Sequence, residues 1–140
     1  APDADTGAAI LAAVAAADAA VSGADEKNPV AALDAIGDAV ADLDLALASA
    51  RNQAQRLEHA RTAYAGTLVS AKSQIAVARG VISSTGAGVD ARTRLAEAER
   101  QLMLAENTDD PVEALDAIRR AVTHARDADA LARYDAMGAH

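Results

Sequence analysis

Proline occurs at three positions only, Pro2, Pro29 and Pro111, and 81 proline-free residues separate the last two. Proline is the residue that a helix interior excludes most strongly. Each of these two prolines follows a capping residue, in Asn28-Pro29 and Asp110-Pro111. A side-chain oxygen at the N-cap accepts a backbone N–H that the first turn leaves unpaired. Proline at the next position has no N–H to leave unpaired, and its φ already suits a helix. Both dipeptides therefore read as helix starts, with room for a very long helix between them.

The apolar pattern after Pro29 fills that room. Leu33, Ile36, Val40, Leu43, Leu47, Ala50, Ala54 and Leu57 follow in steps of three and four, the spacing of a helix stripe packed on other helices. The stripe continues as Ala60, Tyr64, Leu68, Ala71, Ile75, Ala78 and Ile82. The double step of four at Ala60, Tyr64 and Leu68 reads as a stutter. Gly37, Gly66 and Gly80 each cost about 1 kcal/mol relative to Ala, less than a proline would. The reading is one unbroken helix from 29 to about 84, roughly 80 Å long. The competing reading breaks it near Ser49–Gln53 or at Gly66. SSTGAG at 83–88 ends it, with Gly supplying the left-handed stop. Asp90 or a neighbour starts a third helix with Ala91, Leu95, Ala98, Leu102 and Ala105 inward and with Asp90–Arg94 and Glu97–Arg100 pairs outside. ENTDDP makes the next turn. The last helix runs from Pro111 to about Tyr134, with Leu115, Ile118, Val122 and Ala125 inward. The first helix covers roughly 5–22, with Ile10, Val14, Ala17 and Val21 inward, and stops near Gly23.

The two helix starts open a repeated phrase. NPVAALDAIGDAV at 28–40 and DPVEALDAIRRAV at 110–122 agree at nine of thirteen positions. The agreement covers proline and the inward apolar residues. The exposed positions differ, with Gly37 and Asp38 against Arg119 and Arg120. Shifted by 81, Ile10, Val14, Ala17 and Val21 fall on Ala91, Leu95, Ala98 and Leu102. Helical content repeating with a period near 82 is the mark of a tandem helical array.

The expected fold is all-α: an elongated antiparallel helical bundle of spectrin-like three-helix repeats sharing a long central helix. Residues 1–49 form the last two-thirds of one repeat. Residues 50–131 form a complete repeat, and 132–140 are the start of a next helix or a tail. Composition agrees. Two Tyr are the only aromatic residues, so a core must be thin and built from Ala, Leu, Ile and Val on close helices, and a sheet would want the aromatic and β-branched residues that are scarce here. The uncovered stripe of residues 5–50 implies self-association.

Net charge and cysteine content narrow the function classes. A net charge of −8 opposes nucleic acid, which needs clustered Lys and Arg, and opposes anionic membrane surfaces. Without Cys there is no disulfide or thiol chemistry. GAAILAAVAAADAAV at 7–21 is mostly Ala and carries Asp18, so it does not read as a membrane span, nor as a signal peptide without a basic leader.

GAGVDARTRLAEAERQL at 86–102, followed by DPVEALDAIRRA at 110–121, resembles the long helical region of actinobacterial TPM-domain membrane proteins. Such proteins carry a similar glycine–valine turn, an ARTRL helix and a "DP..AL" helix. The TPM domain itself, with its flanking membrane segments, is not represented in this chain. The resemblance implies a membrane-anchored parent in the cell envelope, and no catalytic residue is carried over.

No candidate site converges. His59, His124 and His140 stand singly, without Cys or a second His one turn away, and a metal needs several ligands; His124 lies at the rim of the seam. Asp34, Asp38 and Asp42, with Asp44 nearby, form a carboxylate column able to bridge a cation, but the second copy holds Asp116, Arg120 and His124 there. Arg92, Arg94 and Arg100 offer contacts to an acidic partner, among Asp90, Glu97 and Glu99. SSTGAG has neither the Lys nor the preceding strand of a phosphate loop. No catalytic, cofactor or metal residue is assigned, and no cofactor is expected. The expectation is a non-enzymatic helical scaffold, spacer or protein–protein interaction region of a membrane-anchored envelope protein. It would have protein partners, self-association included, no nucleic acid, and membrane contact only through segments outside 1–140. The alternative is a bundle that binds a small apolar ligand or lipid.

Overall fold

The computed structural model describes residues 4–22 and 28–138. They form four α-helices and no strand: α1 (Ala4–Ser22), α2 (Pro29–Thr85), α3 (Val89–Glu106) and α4 (Pro111–Gly138). The chain divides into two compact units, Ala1–Arg56 and Leu57–His140. His140 and the turn at Gly23 lie outside the described residues. The last helix runs to Gly138 rather than Tyr134, since ALARYDAM holds no breaker before that glycine.

The helix boundaries follow from local chemistry. Asn28 Oδ1 accepts the Ala31 N–H at 3.3 Å. Asp110 Oδ1 accepts the N–H groups of Val112 and Glu113 at 2.8 and 3.3 Å. The two proline-marked starts are therefore side-chain capped. At the end of α2, Gly86 takes φ +63° and donates its N–H to the Ile82 carbonyl at 3.0 Å, the single-bond left-handed stop. No side chain caps α3. Its N-cap is Gly88, whose N–H is held by Asp135 Oδ2 on α4 at 3.2 Å. The helix thus starts at Val89, beside Asp90 as expected, with its N-cap residue held by a tertiary contact.

In the second unit the latter part of α2 packs with α3 and α4 around an alanine seam. Ala71, Ala78, Ala91, Ala98, Ala121, Ala125, Ala128 and Ala132 are fully buried, and Ile118 is the only large side chain among the described residues with no exposure. One cluster joins Ala60 and Ala71 to Ala105, Leu115, Ile118 and Val122. A second joins Ala78 and Ile82 to Ala91, Ala128 and Ala132. A third joins Ile75 to Ala98 and Ala125. Small side chains let helix axes approach closely and fill the gap at interior density. Every expected inward residue of α3 and α4 is buried or half-buried. Across the seam Arg79 pairs with Glu99 at 2.6 Å, and Arg120 Nε donates to Gln101 Oε1 at 3.0 Å.

The stripe on α2 follows the expected one in the second unit and departs from it in the first. Within the second unit Leu57, Ala60, Tyr64, Leu68, Ala71, Ile75, Ala78 and Ile82 are all buried or half-buried, as expected. Ala63, Thr67, Gln74 and Val81 are half-buried beside them, which widens the face that meets two helices. Within the first unit the inner positions of α2 are Ala32, Ile36, Ala39, Leu43, Ala46 and Ala50. The expected inward residues Leu33, Val40, Leu47 and Ala54 are exposed. On α1 the inner positions are Ile10, Ala13, Ala17 and Ala20, while Val14 and Val21 are exposed. The seam with one partner is narrower than a stripe built for two, so it takes the alanine side of each helix.

Candidate functional site

The single sites considered from the sequence stay single. His59 is exposed, as are Asp34, Asp38, Asp42 and Asp44. No group of three or more His, Asp or Glu among the described residues is placed to hold a metal. Arg92 and Arg94 are exposed. The four ion pairs among the described residues include Arg100–Glu97 but not the expected Asp90–Arg94. SSTGAG forms the turn between α2 and α3; Ser84 and Thr85 hydroxyls donate back to the Val81 carbonyl, which leaves them engaged in ending a helix.

His124 is half-buried at the edge of the α3–α4 seam, and its Nδ1 is buried without a hydrogen-bond partner. It belongs to a short polar row. Gln101 donates to Glu97 at 3.0 Å, and Arg100 also pairs with Glu97. The Gln101 hydrogen bond holds the Glu97 carboxyl below its ordinary value; partial burial opposes this, and the charges of Arg100 and His124 add to it. On α2, burial and the nearby Glu106 carboxylate push the Tyr64 phenol up. The Gln101 and Arg100 contacts to Glu97 lie within α3 and tie side chains along one helix.

The surface that stands out is an apolar one, on the first unit. Val14, Val21, Leu33 and Val40 are 48, 62, 67 and 48% exposed. Their counterparts in the second copy are Leu95, Leu102, Leu115 and Val122. Leu115 and Val122 are only 6 and 8% exposed, and Leu95 and Leu102 pack into the same clusters. What covers all four is the latter part of α2, through Ala60, Ala71, Ala78 and Ile82. Among the described residues of the first unit, none covers these four positions.

The two helix pairs match in a second way. An open groove of about 500 Å³ in the first unit is lined on α1 by Ala9, Ala12, Ala13 and Ala16. A groove in the second unit is lined on α3 by Asp90, Thr93, Arg94 and Glu97, the same four positions shifted by 81. Four alanines stand where the second copy has four polar side chains.

Charge separates the copies further, a signal that whole-chain net charge hides. Residues 1–50 hold nine Asp and Glu against one Lys, whereas residues 51–140 hold twelve of each sign. The entire excess negative charge lies in the first fifty residues. By length and composition alone, helix α1 is long and apolar enough to cross a membrane, with mean hydropathy 1.5. Alanine supplies that hydropathy with one methyl group per residue.

Comparison with protein-family models, curated proteins and solved structures gives no match.

Proposed function

We propose that this chain is a non-enzymatic interaction and spacer segment made of tandem, spectrin-like three-helix repeats that share a long helix. On this reading residues 57–138 hold a self-sufficient repeat, and residues 4–50 hold two helices of another whose third helix comes from elsewhere. One observation carries the reading: four equivalent apolar positions are covered in the second copy and exposed in the first. The resemblance of residues 86–121 to the helical region of TPM-domain membrane proteins supports a membrane-anchored parent in the cell envelope.

Binding of a small apolar ligand or lipid is the second reading, and the groove along Ala9–Ala16 favours it. That groove is an open trough walled by alanines, Leu45 and Asp42. An acyl chain in it would keep one side in water and forgo much of the transfer energy of about 25 cal/mol per Å².

Photo-cross-linking in the cells that make the protein separates the readings. A photoreactive side chain at position 33 or 40 is expected to yield protein adducts of discrete mass. The same group at exposed Val69 or Val77 is expected to yield none. Lipid adducts alone, or no adduct at 33 and 40, would reject the interaction reading.

A further inference from the structure

The open apolar face of the first unit has a partner chemistry written elsewhere in the chain. In the second unit the equivalent face is covered by a helix drawn from residues 57–85, with Ala and Ile on its inner side. Residues 51–85 carry Arg51, Arg56, Arg61, Lys72 and Arg79 against Glu58 alone. The face left open carries the opposite charge. Asp18 stands one turn from Val14 and Val21 on α1, and Asp44 one turn from Val40 on α2, both exposed. Asp34, Asp38 and Asp42 add to the acidity of the same unit from its other sides, and no Lys or Arg lies among the described residues before Arg51.

A second copy meeting this face through its own would set two strongly acidic segments side by side, and like charges at close range disfavour that contact. A basic helix with an alanine-rich apolar stripe gains both the burial of Val14, Val21, Leu33 and Val40 and attraction to the carboxylates. Helix-in-groove recognition uses this combination of apolar anchors and flanking charge.

We infer that the Val14–Val21–Leu33–Val40 face is a docking site for a basic, alanine-rich amphipathic helix of the kind this chain forms at 51–85. The inference rests on the interaction reading above and specifies the class of partner.

The test uses the full 140-residue chain and a synthetic peptide of residues 51–85 labelled with a fluorophore. Saturable one-to-one binding by fluorescence anisotropy is expected. Raising the salt from about 0.05 to about 1 M is expected to weaken it at least tenfold, as screening shortens the reach of surface charge. A peptide with its five basic residues changed to Glu is expected to bind at least tenfold more weakly. Leu33→Asp with Val40→Asp is expected to abolish binding; both positions are exposed, so circular dichroism should show helicity retained. Four results would overturn the inference: no saturable binding, equal binding of the charge-reversed peptide, binding indifferent to the double variant, or self-association of the chain at about 100 µM that the double variant abolishes and that tightens with salt, since two acidic faces would then be paired with each other. If the peptide fails while cross-links at 33 and 40 still capture protein, the partner chemistry is wrong and the interaction reading stands.

Discussion

Single residues decide where these helices stop and how they respond to pH. Gly86 holds φ +63°, a conformation that costs an L-residue about 1–2 kcal/mol. Gly86→Ala is therefore expected to destabilise the chain by about 1 kcal/mol in urea unfolding. Gly66 is mid-helix, and a methyl group there would meet nothing within 4 Å. Gly66→Ala is expected to stabilise by up to about 1 kcal/mol, the helix-propensity difference. The same glycine count thus gives opposite signs, decided by backbone φ. Glu97 sets a pH response. Its carboxyl is held low, chiefly by the Gln101 hydrogen bond, so it binds a proton more weakly in the folded state than in the unfolded. Its contribution is present above the ordinary value of 4.5 and is lost as pH falls through the lowered one. Glu97→Gln is expected to shrink the drop in melting temperature between neutral and acid pH. An unchanged drop would place the acid sensitivity in other carboxylates.

At the scale of elements, the seam is a matter of size. Ala98 of α3 has no exposure and packs with Ile75 of α2 and Ala125 of α4. Adding an isobutyl group there forces the helices apart, and Ala98→Leu is expected to cost about 1–3 kcal/mol. Ala48, on the exposed side of α2, is the control. Ala48→Leu should leave thermal unfolding within about 0.5 kcal/mol of the parent. The element starts were legible because Asn28-Pro29 and Asp110-Pro111 state their capping chemistry locally. The inward residues of α3 and α4 were legible because each helix meets two neighbours and buries a full stripe. The stripe on α1 and the early part of α2 was misread at Val14, Val21, Leu33, Val40, Leu47 and Ala54. A sequence stripe records what a helix is able to bury; the packing on hand decides which side of it is covered.

Across the whole chain, the repeat turns into an asymmetry that can be measured. Leu33 and Leu115 occupy the same place in the repeated phrase but are 67 and 6% exposed. Leu115→Ala is expected to cost about 2–5 kcal/mol, the range for a buried leucine. Leu33→Ala should stay within about 0.5 kcal/mol, as surface changes do, when followed by far-ultraviolet circular dichroism in urea. Equal losses would mean that Leu33 is already covered in solution. With the basic 51–85 peptide bound, the cost of Leu33→Ala should rise, because ligation adds its own burial to the folded state.

The sequence by itself determined the helical class, the capped starts at Pro29 and Pro111, the stop at SSTGAG, and the repetition of the buried phrase. These follow from backbone chemistry and periodicity, which act over a few residues. Only the tertiary structure decided which copy of the phrase is covered. NPVAALDAI and DPVEALDAI present the same apolar stripe to their surroundings, and burial requires a second surface that neither phrase contains. For DPVEALDAI that surface is the latter part of α2. For NPVAALDAI the described residues of its own unit leave Leu33 and Val40 exposed.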